Sequence, residues 1–168
     1  MTRSPALSLS LVASCVLSLA ACAKNDAPVP ATASAASVPA SASADEAVAR
    51  VGDVTMHASV MQTSSLNDGV AKEYGITRSD NTVLLLIAVR KGADAKDTAL
   101  PAKITATATD LSGRRHDIAM RELRTGSLLD YVGSVDISLP DTLRFDVSIV
   151  RENGASSRMQ FNREFFPR

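Results

Sequence analysis

Apolar and polar residues alternate along much of the chain between residue 54 and the C-terminus. From Val54 to Met61, and again from Lys103 to Thr109, every second side chain is apolar. The alternation is cleanest from Leu143 to Val150, where Leu, Phe, Val and Ile occupy one set of positions and mainly polar residues the other. Because successive side chains of a strand point to opposite faces, this period of two predicts strands with one buried face.

Further runs complete an all-β pattern. Residues 82–89 are apolar on both parities, which is typical of a central strand buried on both faces. Strands are also predicted around Ile118, from 129 to 137 and from 159 to 165, with turn sequences such as the Asp-Leu-Ser-Gly at 110–113 between them. About seven short strands separated by turns predict an immunoglobulin-like antiparallel β-sandwich.

One short helix is predicted within this sandwich, from Asn67 to Tyr74. Asn67 or Asp68 can cap its first turn, and Gly75 can end it by adopting a positive φ. At barely two turns, this helix connects strands and forms no layer of its own.

The N-terminus has the parts of a secretory signal: Arg3 is positively charged, and residues 6–19 are apolar and uncharged. A transmembrane helix is one alternative, but the run is shorter than the roughly 17 to 25 apolar residues that span a bilayer. Leu-Ala-Ala-Cys at 19–22 matches the lipobox, at which bacterial lipoproteins are acylated and cleaved. It predicts a lipoprotein signal peptide at 1–21 and a lipid such as palmitate on Cys22. A soluble secretory signal with an incidental Cys22 is the other alternative.

The lipobox also predicts where the protein is located. Stable anchoring needs more than one acyl chain, and two or three chains on Cys22 meet that need. Ala23 follows the cysteine in place of the aspartate that retains many lipoproteins in the inner membrane. We therefore expect a lipid-anchored protein of the cell envelope, on the outer membrane and facing the periplasm.

Residues 22–46, between the lipobox and the strands, are mainly Ala, Ser, Pro, Thr and Val after the cysteine. Such a segment buries too little apolar surface to offset the entropy lost on ordering, so we expect a disordered tether. An Ala-rich helix is the alternative, which Pro28, Pro30 and Pro39 disfavour. Residues 47–168 then form one β-sandwich domain of ordinary size.

Charge and cysteine content exclude several classes of protein. The chain has 18 basic and 18 acidic side chains, and this balance gives no reason to expect nucleic acid as a partner. Cys15 lies in the signal peptide and Cys22 carries the lipid, so the mature chain has no free thiol. That excludes a disulfide-stabilised fold, a cysteine zinc site and a cysteine nucleophile.

Candidate metal-binding and catalytic residues are few. His57 and Met61 are weak metal candidates, since imidazole and thioether groups bind copper. Ser59 lies two residues from His57 and is the corresponding weak candidate for a hydrolase. No nucleophile elbow, paired-carboxylate motif or Gly-rich phosphate loop accompanies them. The sequence therefore predicts no cofactor, no metal and no enzymatic activity.

Tyr74, Arg78 and Ser79 form the candidate recognition loop, after the predicted helix. One interpretation is structural: Tyr74 packs the helix on the sandwich, and Arg78 pairs with a nearby carboxylate or carbonyl. The other is functional, since binding residues concentrate on loops held by rigid scaffolds. We favour the structural interpretation.

Several segments resemble a family of small exported bacterial proteins, the domain-of-unknown-function family 4426. They are VAKEYGITRS at 70–79, ATATDLSG at 106–113, REL at 121–123 with Gly126, DYVG at 130–133 and TLRF at 142–145. The Tyr-Gly-Ile-x-Arg-Ser part is the most specific, and the likeness runs from about Gly52 to the C-terminus. The resemblance implies an exported all-β domain and transfers no catalytic residue.

Together these features predict a lipid-anchored envelope protein that acts as a non-catalytic protein-binding or structural module. The expected partners are the membrane, through the lipid on Cys22, and another envelope protein. An extended peptide added to a sandwich edge is one plausible binding mode. A small periplasmic ligand- or copper-binding protein is the alternative function, and a hydrolase is the second alternative.

Overall fold

The computed structural model describes residues 36–37, 41–42, 46–92 and 97–168. Within these ranges lie the 3-10 turn η1 (Thr63–Ser65) and the helix α1 (Asp68–Glu73). The strands are β1 (Ala36–Ser37), β2 (Ser41–Ala42), β3 (Glu46–Val51), β4 (Val54–Gln62), β5 (Thr82–Lys91), β6 (Thr98–Ala99), β7 (Ala102–Thr109), β8 (Arg115–Ile118), β9 (Arg121–Thr125), β10 (Leu128–Asp136), β11 (Asp141–Arg151) and β12 (Ser156–Phe165).

These strands form two sheets. The five-stranded sheet has the order β1-β12-β11-β7-β8, and the seven-stranded sheet has the order β2-β3-β4-β5-β10-β9, with β6 paired to β5. Every pair is antiparallel except β1 with β12. The predicted all-β sandwich is confirmed. The seven predicted strands are β4, β5, β7, β8, β10, β11 and β12; the sequence analysis missed β3, β9 and the two-residue β1, β2 and β6.

Strands β1 and β2 lie within the predicted tether. Ala36–Ser37 pairs with β12 beginning at Ser157, and Ser41–Ala42 pairs with β3 beginning at Val48. At these four residues the structure differs from the predicted disorder, because strands of both sheets pair with their backbone. The predicted signal peptide, Cys22 and the rest of the tether before β3 lie outside the described residues.

The hydrophobic core lies between the two sheets and is built from the inward-facing residues of each strand. Leu143, Phe145, Val147 and Ile149 of β11 are all fully buried. Val83, Leu85, Ile87 and Val89 are their counterparts on β5. The rings of Phe145 and Phe161 stack with centroids 5.2 Å apart. Alternating apolar residues therefore form the core, as the period of two predicts.

The chain changes sheets between β8 and β9. Ile118 pairs with Ala106 in the five-stranded sheet, and three residues later Arg121 pairs with Val132 in the seven-stranded sheet. The connection passes so close to Gly133 that a Cβ there would lie 2.6 Å from Ile118 Cγ2 and 2.9 Å from the Ala119 carbonyl oxygen. Glycine is the residue that permits this crossing.

The predicted helix is confirmed as α1. Asn67 Oδ1 accepts a hydrogen bond of 2.8 Å from the Val70 N–H, so Asn67 is the N-cap. Gly75 has a φ of +63° and lies just beyond the last helical turn. In the part of the chain that the structure describes, no helix has the length and apolarity needed to cross a membrane.

Candidate functional site

The candidate recognition loop is tightly bonded to the segment that precedes the helix. Arg78 forms an ion pair with the exposed Asp68, and its Nη2 donates to the Ser64 carbonyl at 2.7 Å. The Ser79 N–H donates to Thr63 Oγ1 at 2.9 Å, and that hydroxyl donates back to the Ser79 carbonyl at 3.1 Å. Both residues thus fix the loop against η1.

Gln62 is a structural residue that the sequence analysis missed. Its side chain is buried, and its Nε2 donates to the carbonyls of Asp80 at 2.9 Å and Phe166 at 3.1 Å. Its Oε1 accepts from Arg168 Nε at 3.0 Å. The sequence did contain a sign of this role: Gln62 is polar but follows Val60 among the alternate positions of β4 that are otherwise apolar. Such a position predicts a buried amide that bonds to backbone groups.

His57 and Met61 do not form a common metal site. Both lie on the outward face of β4, but four residues along a strand correspond to about 13 Å. His57 Nδ1 lies 3.1 Å from Glu46 Oε1, and Met61 is opposite Leu84 of β5. Within the described ranges, no group of three or more His, Cys, Asp or Glu side chains has the arrangement to hold a metal ion.

A groove of about 540 Å³ lies on the outward face of the seven-stranded sheet, and we name it the β10 groove. The loop from Gly75 to Ser79 forms one wall. The floor includes Leu84 and Val132, both of which are buried. The remaining lining residues come from β5, the start of β9 and the end of β10: Thr82, Ala119, Arg121, Gly133, Ser134 and Asp136.

The ends of the β10 groove carry opposite charges. Arg121 donates from Nη2 to the Tyr74 carbonyl, which links β9 to the loop. Asp136 Oδ1 accepts a hydrogen bond of 2.7 Å from Thr82 Oγ1. Arg121 pairs with Val132, so the two charged positions are four residues apart along β10, or about 13 Å. The groove is therefore polarised along the direction of the strand.

A second polar cluster surrounds Asp110 in the turn between β7 and β8. Its Oδ1 accepts from Ser112 Oγ at 2.6 Å and from the Arg114 N–H at 2.9 Å. Its Oδ2 lies 3.2 Å from Arg114 Nε and 3.1 Å from His116 Nε2. Hydrogen bonds from Ser112 and then His116 hold the pKa of Asp110 well below its ordinary value of 3.8, against the opposing effect of burial. The cluster makes this turn rigid.

Because the pKa of Asp110 is lowered in the folded state, the folded protein binds fewer protons at this group than the unfolded chain does. The stabilisation is present above pH 3.8 and is lost as the pH falls below that value toward the folded pKa. We expect Asp110→Asn to lower the free energy of unfolding at pH 7. The gap in this free energy between variant and wild type should shrink as the pH falls from 4 to 2. Urea unfolding at several pH values measures this.

The matched control for Asp110 is Asp117→Asn, which removes the same charge from a side chain that is 92% exposed. It should change stability at pH 7 by less than about 0.5 kcal/mol. A difference between Asp110→Asn and wild type that stayed constant down to pH 2 would contradict the role assigned to the carboxylate.

A family model for a domain of unknown function (DUF4426) matches residues 48–168. The chain belongs to the DUF4426 family. A crystal structure of a DUF4426 protein from Pseudomonas aeruginosa matches with a TM-score of 0.63 and 26% sequence identity, covering 74% of this chain and 97% of that one. The resemblance seen in the sequence is thereby confirmed at the level of the family.

Two structures of FetP from a uropathogenic Escherichia coli strain also match. One is of protein expressed in the periplasm, with a TM-score of 0.47 and 10% identity, covering 72% of this chain and 92% of that one. The other is a copper-bound variant, with a TM-score of 0.45 and 11% identity, covering 73% and 89%. None of the curated proteins is significantly similar to the chain. The family assignment thus rests on the family model and the Pseudomonas structure.

Three of the segments that carry the family resemblance meet at the β10 groove. They are residues 70–79, 121–123 and 130–133, which are separated by up to about 50 residues in sequence and contribute the loop wall, Arg121 and the floor. The other two segments lie elsewhere: residues 106–113 in and before the Asp110 turn, and residues 142–145 on β11. Because three of the five segments meet at the groove, the most specific one among them, we take it as the candidate functional site.

Proposed function

We propose that this DUF4426 protein is a non-catalytic protein-binding module, anchored to the cell envelope by a lipid on Cys22, and that the β10 groove binds its partner. The observation that carries the proposal is the meeting of three family-specific segments at one groove. A polar groove on a rigid sandwich is a common place for recognition.

The chemistry of the groove favours binding over hydrolysis. Its hydroxyl groups belong to Thr77, Ser79, Thr82 and Ser134, and neither His57 nor His116 is among the residues that line it. A hydroxyl nucleophile needs a base within hydrogen-bond reach. The Asp136 carboxylate accepts from Thr82, but no histidine lines the groove to complete a set of nucleophile, base and orienting group. Ser79 Oγ accepts from the Asn81 N–H at 3.1 Å. These contacts orient the groove walls.

The envelope location rests on the lipobox and on the length of the chain that follows it. Fourteen peptide steps separate Cys22 from Ala36, where β1 begins (36 − 22 = 14). Even fully extended, 14 steps span at most about 50 Å. A lipid on Cys22 would hold the first strand within that distance of the bilayer, so the expected partner is another protein of the envelope.

Site-specific photocrosslinking in intact cells tests both parts of the proposal. A photoreactive amino acid is placed at Thr77, which is exposed and lines the groove. The matched control replaces Thr105, which is exposed on β7 of the other sheet. We expect the Thr77 probe to form a discrete adduct with an envelope protein and the Thr105 probe to form none. A palmitate analogue should label the wild type and leave Cys22→Ala unlabelled.

The two parts can fail separately. Equal adducts from both probe positions, or none from Thr77, would contradict the groove as the binding surface. Wild-type protein that takes up no palmitate analogue would rule out the lipid anchor, whatever the crosslinking result.

A further inference from the structure

Among the strands that the structure describes, none pairs with part of one edge of β10. β9 pairs with β10 from Leu128 to Val132, where Arg121 is its last partner. β10 itself continues to Asp136 and pairs with β5 along this whole stretch. On the side away from β5, none of the described strands pairs with β10 beyond Val132. The reason is the change of sheet before Arg121: the connection passes close to Gly133 but does not pair with β10 beyond Val132.

The direction of the free backbone groups follows from a hydrogen bond at the end of β10. The Ile137 N–H donates to the Asn81 carbonyl at 2.8 Å, on the β5 side. The backbone groups of alternate residues in an antiparallel strand point to opposite edges. Residues 133 and 135 therefore also face β5, whereas Ser134 and Asp136 direct their N–H and C=O groups to the open edge.

The β10 groove gives access to this edge. Gly133 has no side chain, so it lines the groove with its backbone. Ser134 and Asp136 are both exposed and line the same groove. The backbone groups of Ser134 and Asp136 are thus two donors and two acceptors, spaced as in a strand, next to the loop from Gly75 to Ser79. An extended peptide backbone is the partner that satisfies all four.

We propose that the β10 groove binds an extended segment of a protein partner as an added β-strand, hydrogen-bonded to the backbone of Ser134 and Asp136. The inference rests on the proposed function, because it names how the groove recognises its partner. The added strand takes the position that β9 leaves when the chain crosses to the other sheet, and it continues the line of β9.

The charges of the groove select the direction of the added strand. In the antiparallel orientation, which is that of β9, the peptide runs from Asp136 toward Arg121. Because Arg121 already lies opposite Val132, the segment has room opposite residues 133–136. A basic residue opposite Asp136 faces its carboxylate, and an acidic residue two positions later, opposite Ser134, lies on the same face as the Arg121 guanidinium and next to it along the line of β9. The partner segment is therefore basic at its N-terminal end and acidic at its C-terminal end.

A second copy of this chain fits the edge less well than a separate peptide does. In a symmetric antiparallel pair centred on Val135, residue 138 of the second copy would fall opposite Val132. That position is already occupied by Arg121 of β9. A segment that ends opposite Gly133 meets no such obstacle, which is why we assign the edge to a peptide of another protein.

The test titrates the full-length protein with the synthetic peptide Thr-Val-Lys-Val-Glu-Thr, in which Lys and Glu are two positions apart, and follows amide hydrogen exchange by NMR. We expect exchange of the Ser134 and Asp136 amides to slow at least tenfold at saturation. The same peptide with N-methyl groups on alternate residues, which removes its donors, should give no protection. The reversed sequence should bind at least tenfold more weakly.

Two substitutions at Ser134 separate the contribution of its backbone N–H to peptide binding from that of its side chain. Ser134→Pro removes the edge-facing N–H without removing a bond to β5, so we expect peptide affinity to fall at least tenfold. Ser134→Ala keeps the N–H and should change affinity less than twofold. If the proline variant does not fold, the exchange pattern of the wild type decides.

Several results would overturn strand addition. They are no protection of Ser134 and Asp136 at millimolar peptide, equal binding of the N-methylated peptide, or equal losses from the two Ser134 variants. Protection of the same amides by protein concentration alone would assign the edge to a second copy. If the Thr77 probe still forms its adduct in any of these cases, strand addition fails but the proposed function stands. If the Thr77 adduct is absent, the proposed function is contradicted.

Discussion

We expect Phe145→Ala to lower the free energy of unfolding by about 3 to 5 kcal/mol, the range for removing a large aromatic side chain from a core. Phe145 is fully buried on β11, the central strand of the five-stranded sheet. Its ring stacks on Phe161 of β12, and its direct partner on β7 is the small Ala108. Alanine would leave a cavity in the core. The strands around it cannot move in to fill it without breaking the backbone hydrogen bonds that pair them.

Urea unfolding of the purified protein measures this effect, and the chain supplies a matched control. Phe166→Ala makes the same change at a side chain that is 60% exposed. The control should alter stability by less than about 0.5 kcal/mol. Similar losses from the two substitutions would mean that Phe145 does not hold the sandwich together in the way its burial indicates.

The strands that could be predicted from the sequence are those whose two faces differ in polarity. β11 is the clearest, because Leu143, Phe145, Val147 and Ile149 are buried while Arg144 and Val150 are exposed. β9 was missed because it is an edge strand in which Leu123 is the one apolar residue, so no alternation is visible. β3 buries Ala47 and Ala49, and alanine is a weak strand signal.

The candidate site was predictable only in its loop. The resemblance drew attention to residues 74–79, of which Gly75, Ile76, Thr77 and Ser79 form one wall of the groove while Tyr74 and Arg78 do not line it. Arg121 and Ser134 are more than 40 residues from that loop in sequence, and only the fold brings them to it. An uncovered strand edge has no sequence signal of its own, since it depends on where a neighbouring strand stops.

The weak metal candidates His57 and Met61 show how little a shared strand face establishes about a metal site. His57 and Met61 share one face of β4, which is what period-two spacing implies. Sharing a face is insufficient for ligation, because four positions along a strand separate the side chains by about 13 Å. A pair of ligands on one strand therefore needs closer spacing or help from a neighbouring strand.

Gly133→Ala should lower the free energy of unfolding by about 3 kcal/mol, at the upper end of the usual cost of overpacking. The new methyl group would lie 2.6 Å from Ile118 Cγ2, 2.8 Å from Met120 Sδ and 2.9 Å from the Ala119 carbonyl oxygen. The methionine can rotate away, but the carbonyl belongs to the backbone that carries the chain from β8 to β9. Relief of the clash requires that crossing to shift.

Gly69→Ala is the matched control, because the same methyl group there meets nothing closer than Asn67 Oδ1 at 3.4 Å. Gly69 lies inside α1, where alanine is favoured over glycine by as much as about 1 kcal/mol, so this variant should be as stable as wild type or more stable. If urea unfolding shows a loss of stability for Gly133→Ala and none for Gly69→Ala, the β8–β9 crossing is the source of the loss. If Gly133→Ala is as stable as wild type, the crossing can shift to accommodate the methyl group. The close crossing at Gly133 would then no longer explain why the described strands leave part of the β10 edge unpaired.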